Sequence, residues 1–230
     1  MTFILAGGLG TRLRELSGDR PKGLMPIGGQ PFLQRLLERL AAQGLSECVL
    51  CLGYRADAII AHFMAHPIAN LQLHFSVETE PRGTAGALRV AEAYWRAHNF
   101  ILNGDTEITF DFASLQQFHH TQQATVTIGL THVADASRFG RVQLNETGQV
   151  RAFLEKDGVA QDGFVNAGMY LAAAEALASI PTTGAYSIEK EWLPSLLRQS
   201  RAIYGYVVAP EFIDIGTPAD YWRLANQQVK

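Results

Sequence analysis

The stretch TFILAGGLGTRL, residues 2 to 13, decides how the rest of the chain is read. An apolar run of strand length ends near Ala6, and Gly7, Gly8 and Gly10 follow within four positions. Lacking side chains, these glycines let the N–H groups of a tight turn come close to phosphate oxygens. The loop is not G-x-G-x-x-G, because Leu13 stands where a count from Gly8 needs its last glycine, and it is not G-x-x-x-x-G-K-[ST] either. A strand that ends in such a turn predicts an α/β sheet, with the chemistry just beyond the carboxyl ends of its strands.

Outward from this loop, apolar runs alternate with helical patterns. The spacing predicts a strand at about 2 to 6, a helix at about 31 to 43 and a strand at about 48 to 53. In the first helix Phe32, Leu33, Leu36, Leu37, Leu40 and Ala41 share one face, and Gly44 stands where a left-handed C-terminal cap belongs. A helix near 56 to 64, a strand near 71 to 77, a helix near 84 to 95 and a strand ending at Asn103 continue the series. The second half reads differently. TVTIGLTHV, RVQLNE, QVRAFLEK and FVNAGMYLA predict extended pieces, some antiparallel, before helices near 188 to 199 and 218 to 228.

Composition limits the partners. The 230 residues are 47% apolar and 18% charged, enough for one large α/β domain, and the net charge of −3 comes without a basic run. Neither nucleic acid nor an anionic membrane is an expected partner, no apolar run reaches the length of a membrane span, and the N-terminus lacks a leader pattern. These features predict a soluble, cytoplasmic protein. Cys48 and Cys51 have C-x-x-C spacing, but residues three apart in a strand face opposite ways, so two buried thiols are expected rather than a metal or redox pair. His62 and His66 have zinc-helix spacing, but Phe63 replaces the glutamate of H-E-x-x-H and Pro67 ends the helix, so surface histidines are expected.

The charged residues after the glycine loop give it direction. Arg12 has a planar fork suited to a polyphosphate tail, and Lys22 in RPKGLMP adds a second cation, so a nucleoside triphosphate is the expected ligand. ETEPRGTAGAL (78 to 88), NGD (103 to 105) and FIDIGTPADY (212 to 221) then follow in order.

With G-G-x-G-T-R-L at Gly7 to Leu13 and P-K at Pro21 to Lys22, the chain resembles the sugar-1-phosphate nucleotidyltransferase family along its whole length. FGRV (139 to 142), FLEK (153 to 156) and NAGMY (166 to 170) extend the match to the sugar side. Together with YSIEKEWLP and FIDIGTPADYW, they make it most similar to the compact D-glycero-α-D-manno-heptose 1-phosphate guanylyltransferases. The resemblance implies a Rossmann-like, GT-A-like α/β fold with a mostly parallel central sheet and a sugar-binding insertion containing antiparallel strands. It implies one nucleotidyltransferase domain, with about 1 to 110 as the nucleotide half and about 111 to 230 as the sugar half. As the chain stops soon after FIDIGTP, no C-terminal β-helix extension is expected.

The implied reaction joins a sugar 1-phosphate to a nucleoside triphosphate and releases pyrophosphate. A phosphate monoester with a second pKa of about 6 is already dianionic at neutral pH, so no general base is needed. The catalytic residues expected are Arg12, Lys22, Asp105 and Asp214. The two aspartates end the NFILNGD and EFID runs and suit Mg²⁺, which binds through one or two carboxylates plus substrate phosphates. The nucleotide is expected on Leu5, Ala6, Gly7, Gly8, Gly10, Thr11, Arg12, Glu78, Pro81, Gly83, Thr84, Asn103 and Gly104, with Gly83 allowing close backbone approach. The resemblance assigns the sugar to Gly140, Glu155, Lys156 and Asn166. Guanine offers adjacent N1–H and amino donors that a carboxylate can accept, whereas uracil and thymine offer one N–H between acceptors. GTP is therefore expected, read by Glu78, with Glu80 as a rival. Mannose 1-phosphate, or a uridylyl or thymidylyl reaction on a hexose, is the alternative, and a homodimer through the second-half strands or terminal helices is a possible assembly.

Two other classes fit less well. A glycosyltransferase with a related nucleotide fold has no use for G-G-x-G-T-R and P-K at a triphosphate tail. A non-catalytic sensor of nucleotide-sugars would lack Arg12, Lys22 or a metal aspartate, and all four residues are present.

Overall fold

The computed structural model describes residues 1–137, 139–154, 158–208 and 212–227. Strand β1 (Thr2–Leu5) lies between β2 (Glu47–Leu52) and β4 (His98–Asn103), parallel to both, and β2 pairs in parallel with β3 (Gln72–Val77). Phe3 and Ile4 point to opposite faces and both are fully buried, so this strand carries core on each side. The order β3-β2-β1-β4 makes β1 the strand from which the chain winds both ways. The crevice beyond the carboxyl ends of such neighbours is where open α/β sheets bind ligands. Leu5 pairs with both Cys51 and Asn103, so the glycine loop, Gly53 and Gly104 all leave the sheet at that crevice.

Helices cover both faces. α1 (Phe32–Ala42) buries Phe32, Leu33, Leu36, Leu37 and Leu40, and Gly44 follows it at φ 90°. It packs on one face with α2 (Ala56–Ala65), while α3 (Gly83–Val90) covers the other. Cys48 falls in the first layer and Cys51 in the second, and burial pushes both thiols up to about 12. His62 and His66 stack on each other at the end of α2.

The predicted helix at 84 to 95 is shorter than expected: α3 ends at Val90 and a separate 3-10 turn covers Glu92–Tyr94. Trp95 donates its indole N–H to the Leu88 carbonyl (3.0 Å), an acceptor that an unbroken helix gives to the backbone of residue 92.

The second half contributes β5 (Thr106–Ile108), α4 (Phe112–Thr121), β6 (Val126–Val133), β7 (Arg141–Leu144), β8 (Val150–Leu154) and β9 (Gly163–Ala173). A π-helical turn (Ile188–Trp192) leads into α5 (Leu193–Arg198), followed by β10 (Ile203–Val207), β11 (Phe212–Asp214) and α6 (Pro218–Gln227). The long strand β9 runs antiparallel to β4, β6 and β7, so the sheet is parallel on one side of β4 and mostly antiparallel on the other. Its pairing with β6 breaks between Asn166 and Tyr170. Gly168 sits there at φ 70°, and a Cβ on it would lie 2.5 Å from the Asn103 amide nitrogen. The break thus lets β9 pass over the end of β4. Away from the main sheet, β11 pairs with β5 and sets Asp214 opposite Thr106.

Candidate active site

Three cavities meet at the carboxyl ends of β1 and β4, and Asp105 belongs to the wall of each. The first, about 490 Å³, is lined by the loop glycines Gly7 and Gly8, by Leu9, Gly53 and Tyr54, and by Glu78, Pro81, Gly83 and Thr84. The second, about 190 Å³, lies between Ala6, Gly8, Gly10, Thr11, Arg12, Lys22 and Gly104. The third, about 780 Å³, is walled by Asn103, Gly140, Asn166, Gly168, Glu189 and Asp214, with Arg12 at its edge. Glu155 and Lys156 lie outside the described residues.

At the centre, Lys22 donates to Asp105 Oδ2 at 2.7 Å and stands 3.7 Å from Asp214 Oδ1. The pair predicted from two distant strand ends is therefore brought onto one ammonium group. Asp214 is tied down by the Gly216 N–H, which donates to its Oδ1 at 2.7 Å. Burial and the facing Asp105 push the Asp214 carboxyl above its usual range, against the pull of Lys22. The two carboxylates share Lys22, and Arg12 is close enough to act on the Asp214 charge as well. The carboxylates are a fitting donor set for an ion that takes one or two protein carboxylates and completes its shell with water and phosphate oxygens. Among the described residues no larger cluster of His, Cys, Asp or Glu could hold a metal.

The glycine loop is shaped for approach. Gly10 adopts the left-handed conformation (φ 60°) and starts the 3-10 turn Thr11–Leu13, whose Leu13 is buried in the core. A Cβ on Gly8 would meet nothing within 4 Å, so packing within the chain does not demand glycine there. Gly104 is different, since its Cβ would sit 2.8 Å from the Leu5 carbonyl oxygen.

Glu78 forms one wall of the first cavity. The Arg82 N–H donates to its Oε2 at 3.0 Å, and burial pushes its carboxyl above the usual range despite that bond and the Arg82 charge. Its other oxygen lies over Gly53, where a Cβ would come within 2.5 Å of it. Glu80 is exposed and stands 3.8 Å from the Arg82 guanidinium. Gly53 and Tyr54 line the same cavity without having been among the residues expected there. The signal was available, because they directly follow a strand of the parallel half.

Three of the expected site residues also serve the fold itself. Gly83, at φ 70°, is needed by the fold itself, because a Cβ would lie 2.8 Å from the Tyr186 carbonyl oxygen. That carbonyl accepts from the Ala85 and Gly86 N–H groups, and Thr84 Oγ1 accepts from the Ile188 N–H at 2.8 Å. Asn166 also has its amide in use. Its Nδ2 donates to Tyr170 Oη and to Glu189 Oε1, each at 2.6 Å, and its Oδ1 accepts from the Gly168 N–H.

Several known proteins match this chain over nearly its full length. Mannose-1-phosphate guanylyltransferase of Mycobacterium tuberculosis is 37% identical over 229 residues, covering 99% of this chain and 64% of that protein. The chain thus spans less than two thirds of that relative's length. D-glycero-alpha-D-manno-heptose 1-phosphate guanylyltransferase of Aneurinibacillus thermoaerophilus is 33% identical over 229 residues, 99% of this chain and 97% of that protein. The crystal structure of HddC from Yersinia pseudotuberculosis complexed with GMP-PN matches with a TM-score of 0.87 at 33% identity, covering 98% of both chains. The nucleotidyl transferase family model covers residues 1–230, and the chain belongs to that family.

Proposed function

We propose that the protein transfers a guanylyl group from GTP to D-glycero-α-D-manno-heptose 1-phosphate, forming GDP-heptose and pyrophosphate. The observation that carries this reading is the convergence of three cavities on Asp105, whose partner Lys22 also stands beside Asp214. A base and ribose fit the first cavity, a triphosphate tail the small cationic second, and a sugar 1-phosphate the third. Gly8 supports it, since open space at its Cβ position leaves room for a phosphate against the backbone.

Each residue then has a role set by its surroundings. Glu78 accepts the two adjacent donors of guanine. Arg12 and the loop N–H groups hold the β and γ phosphates, and Lys22 neutralises the oxygens at the α-phosphorus as the sugar phosphate attacks in line. Asp105 and Asp214 would hold Mg²⁺, whose charge bridges the two anionic reactants when it is bound. Gly140 and Asn166 border the sugar. The near-complete mutual coverage with the heptose relative supports heptose, and the 37% identity with the tuberculosis enzyme supports mannose 1-phosphate as the second choice. The product would be a precursor for capsule, lipopolysaccharide or surface-layer glycans, made by a cytoplasmic enzyme that would assemble as a homodimer. Among the described residues no helix is long and apolar enough to cross a membrane.

The test is a matrix of pyrophosphate release, four nucleoside triphosphates against heptose, mannose and glucose 1-phosphates. GTP with heptose 1-phosphate is expected to turn over fastest, and Glu78→Gln is expected to lower kcat/KM for GTP by about 10- to 100-fold, the range of a hydrogen bond to a charged group. No pyrophosphate from GTP with any sugar phosphate would instead favour a sensor of nucleotide-sugars. Undiminished GTP preference in the variant would remove Glu78 from the role of base reader.

A further inference from the structure

The sugar side of the third cavity contains a carboxylate whose surroundings define its role. Glu189 projects from the π-helical turn Ile188–Trp192, an irregularity that recurs at functional sites. Its Oε1 accepts from Asn166 Nδ2 at 2.6 Å, and its Oε2 makes no hydrogen bond among the described residues. Asn166 is itself held from below by the buried Tyr170 hydroxyl and from the side by the Gly168 N–H. The amide therefore has both N–H groups committed to the protein and works as a clamp on Glu189. The turn is fixed at its start by the Ile188 N–H on Thr84 Oγ1 and by the Ser187 N–H on Glu191 Oε2 at 2.7 Å.

Charge decides what such a carboxylate can face. The phosphate of a sugar 1-phosphate belongs beside Lys22 and Arg12, and the Glu189 carboxylate in the wall of the third cavity would repel it, so this anion suits the uncharged part of the sugar. Hydroxyl groups are the donors there, and a carboxylate oxygen fixed by an amide accepts them strongly.

We infer that Glu189 is a specificity-determining residue that accepts hydrogen bonds from ring hydroxyls of the sugar 1-phosphate, and that Asn166 is the positioning residue that aims it. This rests on the function proposed above and deepens it. Substrate chemistry follows from it: a sugar bearing a free hydroxyl at the contacted carbon is accepted, and its deoxy analogue is not.

The test uses the full chain with GTP and whichever sugar 1-phosphate the wild type turns over. For Glu189→Gln and Glu189→Ala, KM for the sugar 1-phosphate is expected to rise about 10- to 100-fold, with kcat and KM for GTP within twofold of the wild type. Asn166→Ala is expected to show the same sugar-side defect. Deoxy sugar 1-phosphates then form a cycle. The wild type loses affinity for one of them by a similar factor, while Glu189→Ala no longer distinguishes it from the parent sugar. An unchanged sugar KM in the Glu189 variants, or deoxy discrimination that persists in Glu189→Ala, overturns the inference while the function stands. A wild type that turns over no sugar 1-phosphate overturns the function, and this assignment with it. Glu189 is on the surface and its Gln variant keeps the shape, so circular dichroism and thermal melting of the variants should match the wild type.

Discussion

At the scale of single residues, the pairing of Lys22 with two aspartates sets stability against activity. Asp214 is more costly to ionise in the folded chain than in water, so its negative charge opposes folding wherever it is ionised. Asp214→Asn is therefore expected to melt higher than the wild type in EDTA and to lose nucleotide-sugar synthesis. Added Mg²⁺ should raise the melting point of the wild type and leave the variant where it was; a variant that melts lower in EDTA would contradict this account. The thiols give a second check. Cys48 and Cys51 are buried in different layers with pKa values pushed up to about 12, so a disulfide reagent should label both only as fast as the chain unfolds. Lys22, Asp105, Asp214 and Glu78 were legible in the sequence because each sits just after a strand or inside a quotable motif. Glu189 was not: YSIEKEWLP enters only as part of the resemblance, and the contact of Glu189 with Asn166, 23 residues earlier, appears only in the folded chain.

At the scale of elements, the parallel half was readable because β1, β2 and β4 are apolar runs bounded by glycine turns, and α1 shows one clean apolar face. The helix α4 was not anticipated: within it only Leu115 and His119 are buried, too few to print a helical period on FDFASLQQFHHT. Strand β10, IYGYV, also escaped, because its tyrosines pack at the margin and its central Gly205 fits under Leu130 and Leu144. The junction of α3 with the π-helical turn carries a prediction of its own. Gly83→Ala places a methyl group against the Tyr186 backbone in a left-handed conformation, and is expected to cost roughly 1–3 kcal/mol of stability. Urea unfolding measures it, and a loss below half a kilocalorie would show that the junction can give way. As Thr84 and Ile188 are joined there, GTP affinity should weaken in the same variant.

For the molecule as a whole, acid sensitivity follows from the buried His119, whose ring meets His98 and His120 and which lines none of the three cavities. His119 is 1% exposed, with its Nδ1 against Thr127 Oγ1 at 2.8 Å and its ring beside His98 and His120. Burial lowers its pKa from 6.5 to about 4, with the neighbouring His98 and His120 adding to the effect. Between those values the unfolded chain binds a proton that the folded chain refuses. Stability is therefore highest above pH 6.5 and falls on acidification towards pH 4, by at most about 1.4 kcal/mol per pH unit for one such group. Urea midpoints at pH 7 and pH 5 should show the fall, and His119→Asn should reduce it; an equal fall in the variant would place the cause elsewhere. The other whole-molecule feature is the position of Asp105, shared by all three cavities while most of their other walls are not. Such an arrangement is modular. The first wall can be exchanged to suit another base, or the third to suit another sugar, without rebuilding the junction, so the repertoire of this scaffold can diversify along two independent axes from one fixed hub.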